Sequence, residues 1–362
     1  MRFSFTDEQL AFRSAVADVL SDWCTPADLH ARYVELNAEA GRSHARWNAL
    51  AGLGVTGLVV PEHLGGLGLT DLDLIGIAEE AGAVVLPEPL ATTAGVVFGT
   101  LGSVPGMEER LAAAIDDLMT ATFGGVDFGA ERHRVSTTLN EGIASTPRVA
   151  HCHADLLLLV VVIDGATELH LVDREEVTVD ATPALDLTRE LGTIHWRPTE
   201  GTLLASGSHA DRFVEQLVER SALYAAAELL GLCQAMLTLT ASYVTERKQF
   251  GVPVGSFQAV KHHLAGARVR LEFARPAVYR AAYTLANGEP TLAHDVSMAK
   301  SLAADAADEA ARVSLQCHGA IGYTYEYDLH FAMKRAWGLS AAWGDARSHR
   351  ARILDLVVES RS

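Results

Sequence analysis

The sequence is short of the residues that staple, anchor or attract polyanions. Only four cysteines occur in 362 residues (Cys24, Cys152, Cys233, Cys317), far apart and with no Cys-x-x-Cys pair. That argues against a zinc ribbon and a secreted disulfide framework, and reads as the reduced thiols of a cytoplasmic protein. Positive charge is scarce: 29 Lys and Arg stand against 46 Asp and Glu, a net charge of −17. Phosphodiester backbones and anionic membrane faces repel such a chain, so nucleic acid and membranes are not expected partners. Long apolar runs are missing too. The longest unbroken aliphatic run, Leu156 to Ile163, falls far short of the roughly 20 residues that span a bilayer as a helix, and reads as a buried strand. The opening MRFSFTDEQL has acids where an export signal needs a basic start and an apolar stretch.

What is present is a chain with 49% hydrophobic residues, enough for more than one core and for two to three domains. In TDEQLAFRSAVADVLSDW, Phe12, Val16, Val19, Leu20 and Trp23 share one helical face, and Thr6 with Gln9 forms a capping box. A second helix is expected around His44 to Leu53. The Gly65-Gly66-Leu-Gly68 cluster makes a turn before the cap-like Thr70 and Asp71, and helices continue through Ile75–Val84 and Met107–Leu118. Between about Thr120 and Ser208 the period changes: LLLLVVVI, ELHLVD, EEVTVD and GTIHW are short strands separated by turn residues. Helix formers return in long stretches at Asp211–Arg247, Ser256–Ala286, Thr291–Cys317 and Asp328–Val358, with Pro276 as the one internal proline. The expected organisation is α+β: an all-helical domain over 1–118, a small β-sandwich or barrel over 119–209, and a four-helix bundle over 210–362.

Two segments of the last part carry chemistry. One is Arg247-Lys-Gln249-Phe250-Gly251, followed by Val252-Pro-Val-Gly255-Ser-Phe257-Gln258; the other is Gln316-Cys-His-Gly319-Ala320-Ile-Gly322-Tyr323-Thr-Tyr-Glu326. They offer a guanidinium, an aromatic face, amide side chains and glycine-flanked backbone at helix ends, which suits a diphosphate and an adenine. The structural alternative is that Arg247 interacts with a helix C-terminus and the glycines permit turns. With GLVVPEHLGGLGL near the N-terminus, the pair of loops joined by two long helices resembles the acyl-CoA dehydrogenase family over nearly the whole chain. The resemblance implies FAD, with Arg247, Gln249, Phe250, Gln258, Gln316, Gly319 and Ala320 contacting the ADP half of a flavin cofactor across a subunit interface.

Against that resemblance the departures stand out. The family abstracts the α-proton of a CoA thioester with a glutamate, and its two seats fall here on Trp343 and Ser221. Asp345, Glu228 and Glu219 are neighbouring acids that could serve instead, or could simply lie on a helix face. The family's Thr-Glu-Pro and Gly-Ser-Asp loop, which holds the flavin ring, gives way to Ala121–Gly129, and its aromatic-Ile-Thr segment to Pro147-Arg148-Val149 ahead of Ala154-Asp155. Ala184-Leu-Asp186-Leu-Thr188-Arg189 and Trp343-Gly-Asp-Ala-Arg-Ser-His349-Arg350 resemble one branch of the family, the actinobacterial α2β2 enzymes acting on steroid-CoA thioesters. The likeness implies a non-catalytic subunit that completes the FAD site of a homologous catalytic partner. That partner binds most of the acyl-CoA, and an electron-transfer flavoprotein-type protein accepts the electrons. Two other readings remain: a self-sufficient homotetramer with a displaced base, and a flavin-free interaction protein on the same fold.

Fifteen histidines invite a metal, but His262 and His263 diverge on a helix, and His151 and His153, which could share a strand face, lack a completing ligand; no metal is expected. No Gly-x-Ser-x-Gly elbow supports a hydrolase. The Gly65–Gly68 turn is no dinucleotide loop, though it could line the mouth for an acyl-CoA. Alanine-rich faces at Ala222, Ala225–Ala227, Ala303, Ala304, Ala306, Ala307, Ala310 and Ala311 suit close helix packing within the bundle or between subunits, and an oligomer is expected.

Overall fold

A computed structural model of the chain describes residues 5–35, 44–101, 121–126 and 136–359. The first helices are α1 (Asp7–Trp23), α2 (Pro26–Glu35), α3 (His44–Gly52) and α4 (Asp71–Ala83). The Thr6–Gln9 capping box forms as expected: the Thr6 N–H donates to Gln9 Oε1 at 2.9 Å and the Gln9 N–H to Thr6 Oγ1 at 3.2 Å. Val16 and Leu20 are buried, whereas Trp23, expected on the same face, is 37% exposed. A π-helical segment, Ala91–Phe98, runs into the single turn α5 (Gly99–Leu101). The helix expected at Met107–Leu118 lies outside the described residues.

Eight strands follow: β1 (Phe123–Val126), β2 (Thr138–Asn140), β3 (Ile143–Ala150), β4 (Leu156–Ile163), β5 (Ala166–Asp173), β6 (Thr178–Ala181), β7 (Gly192–Trp196) and β8 (Leu203–Ser206). They hydrogen-bond in the order β6-β7-β3-β1-β4-β5-β8, with β2 on β3. Among the described residues only the β1–β4 pair is parallel. The aliphatic run is β4, at the middle of the sheet, with Leu157 to Val161 all buried.

The last part is helical: α6 (Ser208–Glu246), α7 (Gln258–Ala286), α8 (Leu292–His318), α9 (Leu329–Ala341) and α10 (Ala346–Glu359), with a two-strand hairpin, β9 (Lys248–Gln249) and β10 (Val252–Pro253), between α6 and α7. The stretch Asp328–Val358, expected as one helix, is two. Trp343 and Gly344 both take positive φ, +50° and +97°, which an α-helix cannot continue through. Helix α8 lies at the centre and packs on α6, α7, α9 and α10. Its six named alanines are at most 1% exposed within this one chain, so that face builds the intrachain bundle.

Glycine lets the two ends of the chain meet closely. A Cβ on Gly82 of α4 would collide with the Glu228 carbonyl of α6, and one on Gly231 of α6 with the Glu79 carbonyl of α4. Around that crossing the buried Glu79 accepts from Arg275 Nη2 at 2.9 Å and Tyr279 Oη at 2.5 Å, with Arg13 3.3 Å away. The longest helix among the described residues, α6, is also apolar enough to cross a membrane by length and composition, but most of that apolar stretch is buried inside the fold.

Candidate functional site

The first loop is a tight hairpin. Phe250 and Gly251, the two residues between β9 and β10, have φ of +53° and +85°. That is the sign pattern of a two-residue primed turn, which glycine tolerates and phenylalanine resists. The strained Phe250 is also 94% exposed at the tip, with Phe257 edge-on to it at 6.3 Å between ring centroids. Arg247 ends α6: its N–H donates to the Tyr243 carbonyl at 2.9 Å and its carbonyl accepts from the Val254 N–H at 2.8 Å. Its guanidinium is exposed and, among the described residues, makes no hydrogen bond or ion pair. Gln258, the first residue of α7, and Gln316, near the end of α8, are likewise exposed, with no intrachain partner for their amides among the described residues. Gln249 is exposed and donates from Nε2 to the Lys248 carbonyl at 2.7 Å.

The second loop is held beside the first by an aromatic stack that the sequence reading did not identify. The Tyr243 ring stacks on His318 at 4.4 Å and 24°. His318 is buried between the Ser314 carbonyl (2.8 Å from Nδ1) and the Tyr327 hydroxyl (3.0 Å from Nε2). Burial holds its pKa below the usual range, which keeps the ring neutral. Tyr243 lies one turn before Arg247, and His318 directly precedes Gly319 and Ala320, so the stack fixes the ends of α6 and α8 together. Gly319 has φ +65° and ψ −138°, a conformation that excludes other side chains. It is exposed, as is Ala320. A guanidinium and two amides with no intrachain partner among the described residues, beside an exposed aromatic ring and exposed glycine backbone, fit the diphosphate and adenine end of FAD.

Trp343 and Ser221, where the resemblance puts the base, are both buried. At the first, the buried Trp343 ring lies under the Arg189 guanidinium, 5.2 Å from its centroid. The Trp343–Gly344 turn is held from below by the fully buried Lys300, whose ammonium donates to the Ser340 carbonyl at 3.1 Å and the Gly344 carbonyl at 3.0 Å. Nearby, the buried Arg335 pairs with Asp186 and donates to Thr188 Oγ1 and the Leu86 carbonyl. At the second seat Ser221 is 4% exposed. The preceding Arg220 and, one turn on, the Tyr224 hydroxyl donate to Asp71 at 2.5 and 2.7 Å, and a Cβ on Gly95 would strike the Tyr224 ring.

The three neighbouring acids separate cleanly. Asp345 caps α10: the Ser348 N–H donates to its Oδ1 at 2.7 Å, and this bond holds the carboxyl below the usual carboxylate range. Glu219 is buried in a two-pronged pair with Arg352, at 2.5 and 3.0 Å. Glu228 differs from both. It keeps partial solvent access, yet burial pushes its carboxyl above the ordinary range, against the opposing pull of Arg335 and Arg189. Two helical turns separate it from Ser221, so both occupy one face of α6.

In the sheet, Pro147–Val149 lies at a break in β3 pairing, with Arg148 at φ +54°. His151 and His153 do not share a strand: both lie in the turn after β3, and His153 Nδ1 faces Arg174 at 3.5 Å. No three-residue metal-ligand cluster occurs among the described residues. A Ser145–His195–Asp180 relay runs across β3, β7 and β6, at 2.8 and 2.9 Å. The Asp180 side chain is 72% exposed, which marks the relay as cross-strand pairing on the sheet surface.

Comparison with known proteins follows the same outline. Residues 6–103 match the acyl-CoA dehydrogenase N-terminal domain and residues 212–357 the acyl-CoA dehydrogenase C-terminal domain. The chain is 28% identical over 96% of its length to acyl-CoA dehydrogenase IpdE2 of Mycolicibacterium smegmatis, covering 98% of that protein. It is 31% identical over 97% of its length to acyl-CoA dehydrogenase FadE34 of Mycobacterium tuberculosis, of which it spans 48%. Among solved structures, the ChsE4-ChsE5 complex from Mycobacterium tuberculosis superimposes over 99% of both chains, with a TM-score of 0.83 and 22% identity. With the helical, sheet and helical parts in this order and both flanking domains matched, the chain belongs to the acyl-CoA dehydrogenase family of FAD-dependent oxidoreductases.

Proposed function

We propose that this chain is the non-catalytic subunit of a heteromeric acyl-CoA dehydrogenase, completing the ADP half of an FAD site whose ring and base belong to a homologous partner. The observation that carries the reading is a contrast within one molecule. Arg247, Gln258 and Gln316 stand exposed at one end of the bundle with no intrachain partner among the described residues, beside the exposed Phe250, while Trp343 is buried under Arg189 where a catalytic carboxylate is expected. Arg247 would fork onto the diphosphate, Gln249, Gln258 and Gln316 would donate to phosphate or adenine, and Phe250 would lie against the adenine. The open backbone at Gly319 and Ala320 would allow close approach. When bound, FAD supplies the acceptor for the hydride that leaves the β-carbon. This chain's part is to bind and orient; the α-proton goes to the partner's glutamate. An acyl-CoA held mainly by the partner, a steroid-derived acyl group and an electron-transfer flavoprotein-type acceptor follow from the family likeness, as does a cytoplasmic location.

The test is flavin stoichiometry. Arg247→Ala in the assembled complex should lose bound FAD while the subunits still co-purify; unchanged flavin per complex would refute the assignment. A second reading has one observation in its favour: Glu228, a partly exposed residue whose carboxyl burial holds above the ordinary range, is the kind of group that serves as a base. Under that reading Glu228→Gln abolishes turnover, whereas under the first it leaves the complex active. The flavin-free alternative leaves these exposed donor and aromatic side chains without a purpose.

A further inference from the structure

A cavity of about 650 Å³ opens where α2, the loop before α9 and the loop between β6 and β7 meet. Tyr325 and Glu326, at the far end of the second segment, line it, but none of the side chains set out above as candidate cofactor contacts or base positions does. One wall is aliphatic, Ala184, Leu185 and Leu187; the opposite wall is aromatic, Tyr325 and His330, with His30 beside them; Lys334 and Glu326 complete the rim. The aliphatic wall is set by the buried ion pair. Asp186 has extended backbone, φ −96° and ψ 103°, and its carboxylate is drawn inward by Arg335 and Thr188. Alternation along extended chain then turns the flanking Leu185 outward, where it is 55% exposed. On α9, Lys334 follows the same logic: its neighbour Arg335 is committed to the interior, and the next side chain on a helix points about 100° away.

The aromatic wall is equally fixed. His30 Nε2 lies 2.7 Å from Asp328 Oδ1, and the His30 ring packs edge-on against Phe331 at 4.8 Å. His330 Nε2 faces the Tyr325 carbonyl at 3.2 Å. The Lys334 ammonium stands 4.2 Å over the Tyr325 ring, and Tyr325 is 68% exposed. Two large, exposed apolar side chains thus line one ligand-sized cleft, with one ammonium over the aromatic one.

We propose that this cleft binds a flat, predominantly apolar molecule bearing one anionic group. The body lies between Leu185 and Tyr325, and the anion is directed to Lys334. The probe is 1-anilinonaphthalene-8-sulfonate, a planar aromatic sulfonate, titrated by fluorescence into the full chain and into Leu185→Asp, Lys334→Met and, as a control on the exposed face of α7, Phe273→Asp. Saturable binding is expected, abolished by Leu185→Asp, weakened about tenfold by Lys334→Met, and unchanged by Phe273→Asp. Far-UV circular dichroism and the thermal midpoint verify that each variant folds; Leu185 and Phe273 are exposed and Lys334 is half-buried. Absence of saturable fluorescence, or affinity unchanged in Leu185→Asp, would overturn the site. Loss in Leu185→Asp with full affinity in Lys334→Met would overturn the anionic class.

Discussion

Asp186→Asn isolates the contact that joins the sheet to the bundle beside the base seat at Trp343. Both Asp186 and Arg335 are nearly sealed from water, at 3% and 4% side-chain exposure. The carboxylate also accepts the Thr188 N–H at 3.0 Å and the Thr188 hydroxyl at 2.5 Å. Asparagine keeps the shape but removes the charge that faces the buried Arg335 guanidinium. Breaking one partner of a buried pair costs about 3–5 kcal/mol. With an unfolding entropy of about 2 cal/mol/K per residue, the 362-residue chain would lose roughly 4–7 °C in thermal midpoint if it unfolds as a unit. Differential scanning calorimetry of Asp186→Asn, Arg335→Met and the double variant Asp186→Leu/Arg335→Met reads this directly. The double variant should recover most of the loss, because no charge is then stranded. A midpoint within about 1 °C of wild type for Asp186→Asn would refute the claim that this pair is buried and intact.

Three further outcomes follow from the same physics. Glu228 has a raised folded-state pKa, so its ionisation opposes folding as pH rises from the unfolded value through the folded one; Glu228→Gln should therefore be at least as stable as wild type at pH 7 in urea titrations, with the gain vanishing below about pH 4. Asp295 is the opposite case: despite burial, hydroxyls of Thr284 and Thr291 at 2.7 and 2.9 Å hold its pKa down. Asp295→Asn should then lose stability at neutral pH, and the difference from wild type should close as pH falls through the folded-state value. Gly231→Ala, which drives a methyl into the Glu79 carbonyl, should destabilise by about 3 kcal/mol in the same titrations; wild-type stability would mean α4 and α6 are not in backbone contact.

Much of this molecule was legible in local pattern, because the signals were local. The Thr6 cap, the β4 run and the ends of α6 and α8 follow from side chains within a few residues of each other. The break at Trp343–Gly344 did not: helix formers flank it on both sides, and what stabilises two consecutive positive φ values is Lys300, more than forty residues away in sequence. The two loops were visible as donor-rich segments, but not the Tyr243–His318 stack that brings them together, since neither residue carries a spacing signal. Glu219, Glu228 and Asp345 looked alike as exposed-face acids; burial, a bidentate arginine and a capped N–H tell them apart. The base seat at Trp343 was readable only as a missing carboxylate, and the Arg189–Trp343 contact there joins the sheet to the bundle.

The central claim is tested most directly by purifying this chain alone and again after co-expression with a homologous acyl-CoA dehydrogenase chain from the same gene cluster that retains the glutamate. Visible absorbance, native mass and acyl-CoA-dependent dye reduction are read on both samples. The account predicts a colourless, inactive chain alone, and a yellow, active heterotetramer with half as many flavins as subunits together. A yellow homotetramer of this chain that reduces dye on its own would contradict it, and would place a working base in this sequence.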